Sequence, residues 1–589
     1  MQNLKFQRFH AERINAEGGF VGVVPSPVQK ERRYGELDER NPGVILDITK
    51  GNLVPVPATA QSIMTQVRNY LALTILIGFS INLRAALLVV TTNTDSGPGS
   101  LRDAVATANA GDTITFNNSL SGQTIVLTSG PIGLNQDVTI DADALAGGII
   151  ISGNDASSIF TDSTNNVALN NLDLINGNNI NGDGGGIYNL GTLTLSNCAV
   201  SGNIALGMAG ANGGAGAPGS TFPFPMPGGP GGAGGNGTPG NGGGIYNNAS
   251  LSLINCTLST NQATGGSGGA GGAGGFGVPS GMGGNGASGA SGAGGGIYND
   301  SSGSVNLVNC TSSANETTGG NGGDGGVSAG GMNGFAGNGG FGYGGDIYNA
   351  GLLTVINYTS SGNQAGGGIA GASIPSSGIN GLGDGGGIYN ANNAMITNSI
   401  IANNSVQTNG NGADVDNSAS LTYGGTNLVQ SAVNSGTISG PNPINASPDL
   451  APLGNYGGLT QTMPPLPGSP AVDAAADAIT NFLATDQRGY PRLAGLHVDI
   501  GAVEGIYNAA GAGALTAASP QRGVPFQFSF TNYEDMTFTV FASTNLALSF
   551  NQWTDLGPAT ENPAGSGQFE FSDMAATNLA KRFYRVASP

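Results

Sequence analysis

The repeats of this chain predict an all-β fold: a parallel β-helix carrying glycine-rich insertions, followed by a small β-sandwich. Three observations carry that reading. One phrase recurs five times, as GGGIYN ending at Asn189, Asn247, Asn299 and Asn390 and as GGDIYN ending at Asn349. Each copy leads into a short alternating run that closes on an asparagine: Asn197, Asn255, Asn309, Asn357 and Asn398. Finally, 106 of the 589 residues are glycine and only 9% are charged, yet 38% are hydrophobic and fall at regular positions. Alternation of period two means strands with one buried face. A unit that cannot bury that face alone must stack on its neighbours. Disordered chains of low hydrophobicity carry more charge than this one.

The elements follow in chain order. Residues 1–63 form an atypical N-terminal extension, disordered or misassigned, and poor in glycine. Met64-Thr-Gln-Val-Arg68, the apolar run Tyr70–Leu83 and Ala85-Ala86 read as a secretory signal, 64–86, with translation starting at Met64. The other reading is a cytoplasmic extension with a single membrane anchor. Both place the repeats outside the cytoplasm, secreted or on the cell surface. Ser100–Asn109 reads as a short amphipathic helix with Ser100 and Asp103 as a capping box and Leu101, Ala104, Val105 and Ala108 on one face. It would cover the open N-terminal end of a solenoid spanning 87–510. Strands are expected at Thr113–Phe116, Thr124–Leu127, Val138–Ile140, Ile149–Ile151 and Val167–Ile175.

Within the repeats, the asparagine closing each strand is followed six residues later by another: Asn203, Asn261, Asn315, Asn363 and Asn404. Asparagine tolerates left-handed turns, and stacked asparagines hydrogen-bond along a ladder. Both sets of five are therefore expected to form structural ladders. The repeats are longer than one coil needs, and the excess is glycine-rich, at about 207–243, 264–295, 318–345 and 365–386. Such segments form flexible loops or packed three-fold extended helices, in which only glycine fits the crowded axis. Leaving the coil at one point, they are expected to emerge together as a partly ordered fin. Cys198, Cys256 and Cys310 each follow a strand-closing asparagine, and read as stacked small apolar side chains.

After the repeats, 446–506 is expected to cap the C-terminal end of the solenoid, with Asp486, Arg488, Asp499 and Glu504 as its salt-bridged core, near Arg492 and His497. Residues 515–589 alternate as short strands and predict a small β-sandwich. Asn545, Trp553 and Asp573 are its candidate carbohydrate contacts; the plainer reading of Trp553 is core.

TTNTDSGPGSLRDAVATANAGDTITF (91–116), the Gly-Gly-x-Ile-Tyr-Asn repeats, PLPGSPAVDA (465–474) and TDQRGYPR…DIGAVE (485–504) resemble the choice-of-anchor Q proteins. These are bacterial secreted, right-handed parallel β-helix proteins, of the pectin-lyase-like architecture, related to polymorphic outer-membrane protein repeats. The resemblance covers about 88–506. It implies export and an extracellular or outer-membrane place, and no established reaction.

Charge narrows function further. The net charge is −19, with no lysine between Lys50 and Lys581 and no arginine between Arg102 and Arg488. A body without cations does not neutralise phosphates, which excludes nucleic-acid binding, and it lacks the cation a polysaccharide lyase sets against a uronate. A glycosidase needs two facing carboxylates, for which Asp155, Asp162, Asp173 and Asp183 are the candidates. Asp183, Asp346 and Asp384, near the repeat starts, are candidates for Ca2+. No other metal or small-molecule cofactor is expected. The expectation is a non-enzymatic, monomeric solenoid for adhesion, surface coating or matrix, binding an extracellular glycan or cell-surface ligand. The alternative is a carbohydrate-active β-helix with an acidic site.

Overall fold

The computed structural model describes residues 85–505 except 181, 375, 408–409, 467 and 495, most of 525–587, and the short strands Val44–Asp47, Asn52–Pro55 and Thr516–Ala517. The signal segment, apart from Ala85 and Ala86, lies outside the described residues, as does most of the extension, where Val44–Asp47 pairs antiparallel with Asn52–Pro55. No helix among the described residues is long and apolar enough to cross a membrane.

Residues 87–439 form a parallel β-helix. The Ile-Tyr-Asn strands stack in a nine-stranded parallel sheet running from Ile132–Leu134 to Ala432–Asn434. Each leads into a broad 18-stranded sheet, which takes two strands from a typical coil. There Leu195 pairs with Leu253, Leu253 with Leu307, Leu307 with Val355 and Val355 with Ile396. These side chains and the isoleucines of the phrase fill the interior, fully buried. Each contributes roughly 1.5–3 kcal/mol by leaving water. The broad sheet bends at the strand-closing asparagines, which adopt φ between 47° and 54°. A third, six-stranded sheet contains Ile204–Leu206 and its equivalents and completes the coil.

The first glycine of the phrase turns the chain into the Ile-Tyr-Asn strand, with φ between 61° and 70° at Gly184, Gly242, Gly294, Gly344 and Gly385. A side chain is strained there. The N-terminal helix spans Leu101–Thr107, and its expected apolar face is buried. Ser100 Oγ accepts from the Asp103 N–H at 3.2 Å. The five expected early strands are all present; the longest is split at Asn171, another left-handed asparagine.

The segment 446–505 does not sit as a lid over the last coil. It runs along the outer side of the broad sheet across four coils. Gln487 Nε2 donates to Thr257 Oγ1 at 3.0 Å, Thr311 Oγ1 donates to Gln487 Oε1 at 2.6 Å, and the Ala502 and Gly501 N–H groups donate to Thr359 Oγ1 and the Asn398 carbonyl at 2.9 Å. It is a lateral strap, because the left-handed corners leave polar groups facing outward that need partners. Beyond it, two small antiparallel sheets of four and three strands enclose Phe528, Phe530, Phe538, Val540 and Phe569.

Candidate functional site

Four glycine-rich hairpins, about 207–240, 265–292, 319–342 and 366–383, leave the solenoid after the third sheet. They return at the short parallel strands Gly240–Asn241, Gly292–Ala293, Gly342–Tyr343 and Gly383–Asp384. They form one hydrogen-bonded lattice. Three residues make a turn, so every third residue meets the same neighbour. A Cβ at Gly210, Gly213 or Gly216 would collide with the carbonyl oxygen of Gly235, Gly232 or Gly229 on the returning limb. A Cβ at Gly269, Gly272 or Gly275 would meet the carbonyl of Ala211, Gly214 or Ala217 in the preceding hairpin. In place of side chains there are backbone bonds. Gly232 N–H donates to the Gly214 carbonyl at 2.7 Å, and Gly213, Gly272 and Gly231 donate to the Ala270, Gly232 and Met282 carbonyls at 2.8 Å.

The third residue of each turn faces water and leaves one backbone donor to be accounted for. Asparagines in this position accept it from the neighbouring hairpin. Asn212 Oδ1 takes Ala270 N–H, Asn285 takes Phe335, Asn338 takes Ile379 (2.9 Å each), and Asn321 takes Ile369 at 2.8 Å. Asp324 does the same for Ala372 at 2.7 Å. Pro230 and Pro239 occupy equivalent exposed positions and bring no donor. The fin is thus ordered through its backbone, which is why a segment so poor in apolar core holds one shape.

Its surface is nearly free of charge: within the four hairpins Asp324 is the one ionisable side chain. The returning limbs expose Met282, Phe335 and Ile379, and the tips expose Phe222, Phe224, Met226, Phe276, Val278 and Ile374. Large exposed apolar groups gathered on one part of a surface mark a contact region.

At the base of the fin the tyrosines of the phrase stack. Ring centroids of Tyr188, Tyr246, Tyr298, Tyr348 and Tyr389 lie 4.8–5.6 Å apart in order, tilted by no more than 11°. Burial pushes their hydroxyl pKa values up, and Tyr246 donates to Asp300 at 2.7 Å. The rings cover one another, so edges and hydroxyls rather than ring faces meet solvent along the column. Beside it, Asn241 Nδ2 donates to Asp183 at 2.8 Å and Asn411 Nδ2 to Asp384 at 2.9 Å. Burial, with the Asp384 charge, pushes Asp416 up to about 6.

The candidate catalytic carboxylates are not gathered. Asp155 sits in a left-handed turn, Asp162 is buried in the Ile-Tyr-Asn sheet, Asp173 lies in the broad sheet and Asp183 is at the base of the fin. Among the described residues, cavities of 390, 290 and 250 Å³ lie in the C-terminal module, on the broad sheet and beside the N-terminal helix, and these three are not lined by the four carboxylates. The Ca2+ candidates are likewise apart. Asp183 and Asp384 stand at opposite ends of one column, with Asn241, Ala293 and Tyr343 between them. Asp346 is inside the solenoid, accepting from Ser312 Oγ, Ser360 Oγ (2.6 Å each) and Tyr358 Oη (2.7 Å). Among the described residues no three or more His, Cys, Asp or Glu side chains are placed to hold a metal.

The second asparagine set forms an unbroken chain. Asn203 donates to Asn261, Asn261 to Asn315, Asn315 to Asn363 and Asn363 to Asn404, at 2.9–3.0 Å, and Asn404 ends it on Asp414 at 3.0 Å. The first set is paired rather than continuous: Asn255 donates to Asn197 at 3.3 Å and Asn357 to Asn309 at 3.1 Å. At these outward corners Asn309 donates instead to the strap carbonyl of Thr485 at 3.0 Å and Asn398 to that of Ala476 at 3.2 Å. A third chain joins Asn189, Asn247, Asn299, Asn349, Asn390, Asn417 and Asn434 at 2.6–2.8 Å. The Asn of Ile-Tyr-Asn was its signal. Cys198, Cys256 and Cys310 are free, buried and stacked.

In the strap, Arg488 pairs with Asp486 at 2.8 Å, and the acids are held chiefly by backbone donors. Asp486 accepts from the N–H of Arg488, Tyr490 and Glu504, Asp499 from Asp473 and Gly505, and Glu504 from Ala494 and Asp499. Arg492 is fully buried and donates to the Asp499 and Gly501 carbonyls. His497 is exposed, 2.8 Å from Asp477. In the C-terminal module Asp573 is taken up by Arg582 at 2.9 Å and Tyr584 Oη at 2.8 Å, and Trp553 Nε1 donates to the Leu548 carbonyl at 3.3 Å. Comparison with protein-family models and with curated proteins finds no match.

Proposed function

We propose that this chain is a secreted, surface-exposed and non-enzymatic β-helix of the choice-of-anchor Q type, acting in adhesion or in a surface or extracellular coat. The observation that carries the reading is the fin. Four hairpins satisfy one another's backbone groups and project a rigid, nearly uncharged plate with apolar tips from an otherwise acidic solenoid. Such a plate supplies contact area and no acid–base chemistry. Export is supported by the Met64–Ala86 segment and by the family resemblance of 91–116 and 465–504. The acidic-site alternative has weaker support, because its four carboxylates occupy separate places in the coil.

The test replaces each hairpin with a short Gly-Ser turn and measures retention of the protein on cell and matrix surfaces. Retention is expected to fall by about tenfold or more, with the circular dichroism of the solenoid unchanged. Full retention by the fin-less chain would overturn the reading. A glycan-cleavage screen with Asp155→Ala and Asp173→Ala addresses the alternative; turnover lost in those variants would establish it instead.

A further inference from the structure

We infer that the free edge of the fin inserts shallowly into the hydrocarbon boundary of an uncharged, zwitterionic membrane surface. This rests on the fin as the contact surface and names what it contacts. The edge is formed by the four hairpin tips, which are tied to one another: Val278 N–H donates to the Met226 carbonyl at 3.1 Å, Ser328 Oγ to the Gly281 carbonyl at 2.7 Å and Asn333 Nδ2 to the Ile374 carbonyl at 2.9 Å. Along it, Phe222 is 86% exposed, Phe224 77%, Ile374 81% and Met332 64%.

Three observations select the occupant. The tips carry no charge and the chain is strongly anionic, so a polyanionic or anionic-lipid surface repels it and a neutral one does not. The first tip, Thr221-Phe-Pro-Phe-Pro-Met-Pro227, removes backbone donors at Pro223, Pro225 and Pro227 and pairs Ser220 with Met226 in both directions, at 3.1 and 2.8 Å. Hydrocarbon demands that backbone groups be satisfied within the segment or absent. Thr221, Phe222 and Phe224 keep N–H groups in that tip, which sets the depth at the interface rather than the bilayer centre. A glycan surface would require free hydrogen-bonding side chains to receive its hydroxyls. At this edge Ser328 and Asn333 are engaged in tying the hairpins together, and the exposed Phe222, Phe224, Met332 and Ile374 offer none.

The experiment is co-sedimentation of the full chain with phosphatidylcholine vesicles, compared with vesicles in which part of that lipid is replaced by phosphatidylglycerol. Binding to the neutral vesicles is expected, insensitive to salt, and weaker on the anionic ones. The double variant Phe222→Ser/Phe224→Ser, and separately Met332→Ser, should each lower the bound fraction severalfold with the solenoid's circular dichroism unchanged, since these side chains are exposed. Absence of sedimentation with neutral vesicles, or binding indifferent to both variants, overturns the proposal. If surface retention is lost with the fin but neutral vesicles are not bound, the adhesion reading stands, the lipid assignment falls and a protein or glycan receptor takes its place.

Discussion

Asp346 takes the place of the third glycine of the phrase in one coil, and its neighbours change with it. Elsewhere Gly186 and Gly244 face the buried asparagine chain, with Val200 and Leu258 three residues beyond the strand asparagine. Around Asp346 that position is Ser312 or Ser360, and a cysteine position has become Tyr358, all three donating to its carboxyl. The volume added by Asp346 and Tyr358 is accommodated where Ser312 and Ser360 replace larger apolar side chains, and all three hydroxyls satisfy the carboxyl. Asp346→Ala strands three buried hydroxyls and is expected to cost about 2–4 kcal/mol in local opening free energy, read by native-state hydrogen exchange. Asp346→Gly combined with Ser312→Val, Ser360→Val and Tyr358→Cys rebuilds the combination of the other coils and should recover at least half of the loss; a quadruple variant no better than Asp346→Gly contradicts the compensation.

The strap acids make a second prediction at this scale. Burial pushes Asp499 up to about 7, and burial with the neighbouring Asp499 charge pushes Glu504 up to about 8. A carboxyl whose folded pKa lies above its unfolded value binds its proton more tightly when folded. Its contribution is therefore complete below the unfolded value near 4 and is lost as pH rises through 7–8. Amide protection along 486–504 should fall between pH 5.5 and 8.5, and Glu504→Gln should flatten that dependence. Protection that rises with pH would contradict this account.

At the level of elements, the fin depends on glycine at defined registers. Gly213→Ala or Gly272→Ala places a methyl against a backbone carbonyl that cannot move without breaking its lattice bonds. Either should raise proteolytic sensitivity of the fin while leaving the Ile-Tyr-Asn sheet protected, whereas Ala215→Ser, at an exposed position, should do neither. The strands, the N-terminal helix and the Asn203–Asn404 chain were legible in the sequence, because period two, a capping serine and an inward-facing repeat position are local signals. The fin's two candidate states were legible too. What chose between them was the match of glycine registers between hairpins tens of residues apart, together with asparagines that serve a neighbour. The strap was misplaced for a similar reason: charge and glycine in 485–504 identify a compact motif but not the coil face it covers. The pairing rather than chaining of Asn197, Asn255, Asn309 and Asn357 follows from that strap, which supplies other partners at the corners.

For the whole molecule, the solenoid and the fin divide the work. The coils bury the apolar side chains and fix the spacing at which the hairpins leave; the hairpins then satisfy their backbones against one another with hardly any core. Order in the fin is consequently a property of the stack, and a single hairpin excised from it should be unstructured. The most direct test is hydrogen–deuterium exchange of the intact chain over 207–240, 265–292 and 319–342. The lattice predicts slow exchange at Gly213, Gly232, Gly272 and their equivalents, with exposed tip residues such as Phe222 exchanging fast. Exchange at unstructured-chain rates throughout those segments would show flexible loops in place of a fin, and would contradict the account at its centre.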